Sequence, residues 1–331
     1  MKAMLSTVVG GPETLELTEL PDPTPRKGHL LVRIRAAGLN FPDTLMIRDM
    51  YQMKPPRPFA PGGEIAGDVI AVGEGVEGFV VGDRILALTR HGGFATHLNV
   101  EAARTIKMPD AMPYDEAACF VFTYGTSHHA LKDRAQLKAG ESLLILGASG
   151  GVGAAAIELG KAAGAKVIAA VSSEEKAAFC RELGADETLI YPRDMNRDAQ
   201  KALSAKIKEL AGPDGVDVVY DAVGGDYAEP AIRALAWQGR FLVVGFAAGI
   251  PKIPLNLTLL KGAQIVGVFW GASVSRDPKG HAANVAELFQ LYQQGKIKPR
   301  ISATFPLEQA ADALEMMDAR KVMGKVVVIP D

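Results

Sequence analysis

The stretch that most constrains the fold of this chain is LLILGASGGVGAAAIELGKAAGAKVIAAVSSEEK, residues 143 to 176. Leu143 to Leu146 form an apolar run of buried-strand length, and the glycine turn after it gives way to a helical pattern carrying Ile157, Leu159 and Ala163. Gly164 closes that helix, and a second apolar run extends from Lys166 to Val171. The segment therefore predicts a βαβ unit whose sharp turn lies at the carboxyl end of its first strand.

The turn, Gly147-Ala148-Ser149-Gly150-Gly151-Val152-Gly153, has a physical use. Aligned on GxGxxG, Ala148 takes the place of the first glycine, Gly150 lets a phosphate approach the backbone, and Gly153 lets helix and strand pack closely. A helix N-terminus there offers N–H groups and a partial positive charge to an anion. A glycine turn needed only for packing is the alternative, but the flanking strand, helix and second strand supply the context of a dinucleotide site. Ala148, Ser149, Gly150, Gly151, Val152 and Gly153 are thus the first candidate cofactor residues.

The end of the second strand bears on which dinucleotide is bound. An NAD site places a carboxylate about 20 residues past the fingerprint, where it would repel a 2′-phosphate. Ser172, Ser173 and Lys176 stand there instead, and small hydroxyls with an ammonium suit a phosphate, so NADPH is expected over NADH. Glu174 and Glu175 complicate the reading; on the first turn of the next helix they are expected to face solvent and its N-terminus. Lys176 as an ordinary surface lysine remains the other reading.

A chain of 331 residues suits two domains, and a net charge of −2 creates no field for nucleic acid or an anionic membrane. Small-molecule chemistry is the better expectation. The start, MKAMLSTVVGGPETLELTELP, has no apolar core of signal-peptide length, and no run of about 18 apolar residues occurs elsewhere, so a cytoplasmic location is expected. Cys119 and Cys180 read as small buried hydrophobes.

Residues 1 to about 120 are rich in Gly and Pro and carry short strand patterns at Leu30 to Arg35, Ile65 to Val72 and Ile85 to Leu88, which predicts an irregular, mostly β domain. Residues 113 to 137 read as helical. From 143 to about 260, strands at 143 to 146, 166 to 171, 187 to 190, 216 to 220 and 241 to 245 alternate with helices, the pattern of a doubly wound parallel sheet. Loops carrying Val223, Gly245 and Phe246 follow its later strands and are expected to line the cofactor, because ligands bind outside the carboxyl ends of such strands. Phe269 and Trp270 are placed with them. The remainder predicts a strand at Ile265 to Phe269, a helix at 281 to 294 and a last strand at Lys325 to Ile329.

Five segments taken together carry a resemblance: GASGGVG, Gly38 to Asp43, PGGEIAG at 61 to 67, VGDR at 81 to 84 and GKVVVIP at 324 to 330. In order and spacing the chain resembles the zinc-free quinone oxidoreductases of the medium-chain dehydrogenase/reductase superfamily. The resemblance implies an α/β fold in which a GroES-like, mostly β catalytic domain (1–122 and 266–331) accompanies a Rossmann NADPH-binding domain (123–265), with the cofactor in a cleft. It also implies a homodimer joined through the strand at Ile265 to Phe269. Zinc relatives place a cysteine soon after the segment matching Gly38 to Asp43 and a histidine before the residue matching Glu64. Here no cysteine follows and Gly63 stands at the histidine position, so no metal is expected.

By the same resemblance Asn40 faces the nicotinamide and substrate pocket, Tyr51 lies at its mouth and Thr126 beside the nicotinamide ring. Ser173, Lys176 and Tyr191 match the 2′-phosphate pocket, and Arg320 a cofactor-contacting arginine. Leu45 and Asp49 depart from the family pattern. The implied activity is zinc-free hydride transfer from NADPH to a quinone or α,β-unsaturated carbonyl, with Asn40 hydrogen-bonding the enolate or the nicotinamide amide and Tyr51 or water delivering the proton. An enoyl-thioester or acryloyl-CoA reductase, and a non-catalytic NADPH-binding sensor, crystallin or RNA-binding protein, are the alternatives. The acidic balance opposes RNA binding.

Overall fold

The computed structural model describes residues 1–330 and divides the chain into two compact units, Met1–Phe122 with the segment from Pro299 onward, and Thr123–Lys298. The first unit begins with a two-stranded antiparallel ribbon, β1 (Lys2–Ser6) and β2 (Leu15–Glu19). Next come β3 (His29–Gly38), a short helix α1 (Phe41–Met46), and β4 (Glu64–Val72), β5 (Arg84–Leu88), β6 (His97–Glu101) and β7 (Thr105–Lys107). β3 is the backbone of this unit: Leu30, Val32 and Ile34 alternate inward and are essentially fully buried, as expected of a strand with one face on a core. At its end Gly38 is obligatory, since a Cβ there would lie 1.9 Å from the Ala118 carbonyl oxygen. The expected helix over 113 to 137 is two pieces, α2 (Tyr114–Ala117) and α3 (Val121–His128), continued by a π-helical stretch over His129–Arg134.

The second unit is built on a six-stranded parallel sheet. Its strands are β8 (Ser142–Leu146), β9 (Lys166–Val171), β10 (Glu187–Ile190), β11 (Val216–Asp221), β12 (Leu235–Val243) and β13 (Gln264–Gly267), hydrogen-bonded in the order β10-β9-β8-β11-β12-β13. Counted within this unit, that is the doubly wound order 3-2-1-4-5-6, which reverses direction between β8 and β11. Right-handed crossovers running outward from the reversal put helices on both faces. They are α4 (Gly151–Ala162), α5 (Glu174–Glu182), α6 (Arg197–Ala211), α7 (Ala228–Arg233), α8 (Asn256–Lys261), α9 (Trp270–Arg276) and α10 (Pro278–Gln293). Every residue of β8 is buried, the signature of a central parallel strand covered on both sides.

The chain then returns to the first unit as β14 (Ile301–Pro306), α11 (Ala310–Asp318) and β15 (Lys325–Ile329). β15 pairs antiparallel with β3 and parallel with β14, completing a seven-stranded sheet in the order β14-β15-β3-β4-β5-β7, with β6 also paired to β3. The expected return at residue 266 is corrected. β13 is hydrogen-bonded to β12 and belongs to the parallel sheet, and α9 and α10 stay with it. The strand expected at 241 to 245 begins earlier and ends at Val243, leaving Gly245 and Phe246 in the following loop.

Candidate functional site

In the second unit the glycine turn sits where the strand order reverses. Gly147 has φ 72°, a left-handed conformation open to glycine, and a Cβ there would also meet Val223 Cγ2 at 2.9 Å. A Cβ on Gly153 would lie 2.4 Å from the Gly147 carbonyl oxygen and 2.7 Å from Ala148 Cα, so a hydrogen side chain is what lets α4 rest on the turn. Gly150 is the N-cap of α4 and supplies no side-chain cap, which leaves the amides of Gly151, Val152 and Gly153 without a helical or capping partner. A Cβ on Gly150 would meet only the Gly147 oxygen, at 3.5 Å, so its outer face is open. Ala148 and Ser149 are buried beneath the turn. The arrangement is a bare helix N-terminus with room for an anion against the backbone, and it fits a dinucleotide pyrophosphate.

Neighbouring loops brace this turn. Asp221, at the end of β11, accepts hydrogen bonds from the Val223 and Gly224 amides at 2.8 Å each, although burial pushes its carboxyl up to about 6. The loop after β11 is tied to the one after β12 by Ala248 N–H to Val223 O at 2.7 Å and Gly225 N–H to Gly249 O at 2.7 Å, and Phe246 stands exposed beside them. From α3, the Ser127 hydroxyl donates to Val152 O at 2.7 Å and accepts from the Tyr220 hydroxyl at 2.9 Å. Thr126 is thereby held, half-buried, next to a residue bonded to the first turn of α4.

At the end of β9, Ser172 and Ser173 lead into α5, and no carboxylate stands at the strand end. Ser173 is the N-cap, its oxygen accepting from Lys176 N–H at 3.4 Å. Glu174 pairs with Arg181, while Glu175 is exposed. Tyr191 follows β10. It is buried, and its ring lies 4.8 Å from that of Tyr227. The Trp270 ring is buried against Gly125 and edge-on to His281, whereas Phe269 is exposed.

In the first unit, Asn40 precedes α1 in a cluster of charged groups that the sequence reading did not assemble. The Lys325 ammonium donates to Asn40 Oδ1 at 2.6 Å and to Leu39 O at 2.8 Å, and lies 3.9 Å from Glu64 Oε2. Asn40 Nδ2 donates to Gly38 O and to Glu64 Oε2, each at 3.3 Å. Glu64 Oε1 accepts from the Phe122 amide at 2.8 Å, and Asp43 accepts from the amides of Asn40 at 2.8 Å and Gly62 at 3.1 Å. All four side chains are buried. Burial pushes the Glu64 carboxyl up to about 7 and the Asp43 carboxyl up to about 6, against the lowering pull of Lys325 on both.

Both amide hydrogens of Asn40 have acceptors, and the side chain fixes the segment that leads into α1. Tyr51 is half-buried, and burial first, then the Asp43 charge, raises its phenol above the usual range, so it remains a proton donor. Asp49 has φ 57°, a left-handed conformation that favours glycine, and Arg57 holds it at 2.8 Å. Arg320 is exposed after α11, also left-handed, with its N–H on Met317 O at 2.9 Å. Lys325, Glu64 and Asp43 were missed as a group, yet each is a charge set beside an apolar run, the one sequence signal that could have singled them out.

Both cysteines are buried, and burial pushes each thiol up to about 12, far from a nucleophile. Among the described residues no three His, Cys, Asp or Glu side chains are grouped as metal ligands, and no helix is long and apolar enough to cross a membrane.

Residues 26–110 match the alcohol dehydrogenase GroES-like domain, and residues 151–287 match the family described as zinc-binding dehydrogenase. The chain is 38% identical to a quinone oxidoreductase-like protein 2 homolog of Nematostella vectensis, over 90% of this chain and 80% of that one. It superposes with a TM-score of 0.91 on a mycobacterial protein solved in complex with NADPH, at 31% identity and 100% coverage of both chains. A similar match joins it to the enoyl reductase CurK, with a TM-score of 0.87 and 27% identity over 100% of this chain and 99% of the other. By these likenesses, carried through both units, the chain belongs to the quinone oxidoreductase family of the medium-chain dehydrogenase/reductase superfamily.

Proposed function

We propose that the protein is an NADPH-dependent oxidoreductase that reduces quinones or α,β-unsaturated carbonyls. The observation that carries the reading is the uncapped N-terminus of α4, set against a turn in which Gly153 admits no side chain. The amides of Gly151 to Gly153 would hold the pyrophosphate, and Ser172, Ser173 and Lys176 the 2′-phosphate, with no strand-end carboxylate to repel it. Bound there, the reduced nicotinamide supplies the hydride.

The chain's own residues would do the rest. Val223 and Thr126 flank the cofactor from the loop after β11 and from α3. The Tyr51 phenol, kept protonated by burial, is the proton donor, while Asn40, Lys325 and Glu64 fix the segment that leads into α1. An acceptor that spreads the incoming charge over a conjugated system needs little more than positioning.

We read the site as zinc-free. A cation at Glu64 would face the Lys325 ammonium 3.9 Å from the carboxylate, and Gly63 offers it no ligand. Stoichiometric zinc in untagged protein would overturn that. A homodimer through β13 is supported by its place at the sheet edge with Ile265 and Phe269 exposed, and sedimentation as a monomer at micromolar concentration would reject it.

The likeness to an enoyl reductase favours one second reading, reduction of an enoyl thioester. NADPH oxidation is to be measured against quinones, enals and enoyl-CoAs. Turnover with the first two and no competition by free CoA supports the proposal, turnover confined to the thioester replaces it with the second reading, and NADPH binding without any oxidation rejects both.

A further inference from the structure

Away from the glycine turn, the second unit has a cavity of about 430 Å³ bounded by α6, α7 and α8, a size that suits a small molecule. Its base is apolar: Ile232 and Leu257 are buried there, and Leu260 forms an exposed wall. Its rim is cationic. One face of α6 presents Lys201 and Lys208, α7 adds Arg233 and α8 adds Lys261.

The charges at the two ends of this rim are not balanced alike. Lys201 lies 3.7 Å from Asp198 and Arg233 lies 2.6 Å from Glu229, so those two have carboxylates. Among the described residues Lys208 makes no ion pair, and Lys261 has only the Leu235 carbonyl, 2.6 Å from its ammonium. Burial, and then repulsion from Lys208, hold the Lys261 ammonium below its ordinary range. Two neighbouring cations with no carboxylate between them favour an anion at that place. Ser204, one turn from Lys208 on the same face, is only 8% exposed and lines the cavity.

We propose that this cavity binds an aliphatic carboxylate, its head group between Lys208, Lys261 and the Ser204 hydroxyl and its chain on Ile232, Leu257 and Leu260. The ligand is a free medium-chain fatty acid, and the site is separate from the proposed cofactor site. None of these residues belongs to the glycine turn or to the Lys325 cluster.

Decanoate below its micellar range, titrated calorimetrically into the full chain, is expected to bind saturably at one site, with decanol at least tenfold weaker. Lys208→Glu and Ser204→Ala should each weaken decanoate at least tenfold while leaving the NADPH affinity and the melting temperature of the ligand-free protein near the parent values. Absence of saturable binding, equal binding by decanol, or decanoate affinity unchanged in both variants would overturn the proposal. So would cosedimentation with phosphatidylserine vesicles that decanoate does not displace, which would assign the basic rim to a lipid surface.

Discussion

The Lys325 ammonium, at the start of β15, lies 2.6 Å from the side-chain oxygen of Asn40, at the threshold of α1. Residues 285 positions apart in sequence thus share a buried polar contact, and each fixes the other's chemistry. Lys325 can only donate, so Asn40 must present its oxygen to it and its amide hydrogens to Gly38 and Glu64.

Lys325→Met should therefore leave the buried Glu64 carboxylate without a counter-ion and the Asn40 oxygen without its donor. Removing one partner of a buried charge pair costs about 3–5 kcal/mol. We expect a loss in that range at pH 8 by urea unfolding, shrinking toward pH 5 as Glu64 takes up a proton. Combining Lys325→Met with Glu64→Gln should cost less than the sum of the single changes. Strict additivity would show that the two groups do not interact.

The same cluster sets a pH dependence. Glu64 and Asp43 have folded-state carboxyls pushed up to about 7 and about 6, above the unfolded carboxylate range near 4. In that window the folded chain binds more protons than the unfolded one, so this contribution is fully present below about pH 4 and is lost as pH rises through 6 to 7. Glu64→Gln should flatten the fall in urea midpoint between pH 5 and 8. A parent midpoint that climbs across this interval, with the slope unaltered in the variant, contradicts the assignment.

The glycine turn separates two effects. Gly153→Ala places a methyl group 2.4 Å from the Gly147 oxygen, and overpacking of this kind costs about 1–3 kcal/mol. It should lower stability and NADPH affinity together. Gly150→Ala meets only an ordinary contact at 3.5 Å, so it should melt near the parent temperature yet bind NADPH more weakly, its methyl group standing where the phosphate approaches. Fluorescence titration and thermal melting of both variants check this, and equal behaviour of the two would remove the distinction.

Cofactor choice is tested at Lys176. A hydrogen bond to a charged group contributes about 1.5–3 kcal/mol, roughly 10- to 100-fold in affinity. Lys176→Glu should weaken NADPH by at least that range and leave NADH within a few-fold. If the ratio of the two affinities does not move, the lysine plays no part in the discrimination.

Much of the second unit was legible because its signals are local. An apolar strand, a turn needing small residues and an amphipathic helix follow one another from Leu143 to Ala163, and each forms from its own neighbours. Local pattern says nothing of how Tyr191 and Trp270 pack: their rings lie against Tyr227 and Gly125 from other elements.

By itself the sequence determined the βαβ core, the glycine turn and the absence of a carboxylate at the end of β9, since period, volume and charge over a few residues decide these. Only the tertiary structure decided that β13, α9 and α10 stay with the parallel sheet, that Asn40 is a fully engaged strut, and that Lys325, Glu64 and Asp43 meet in one buried cluster. Those outcomes depend on strand pairing between segments that are not neighbours in the sequence, where hydrogen-bond register and burial, not local pattern, bring charges together.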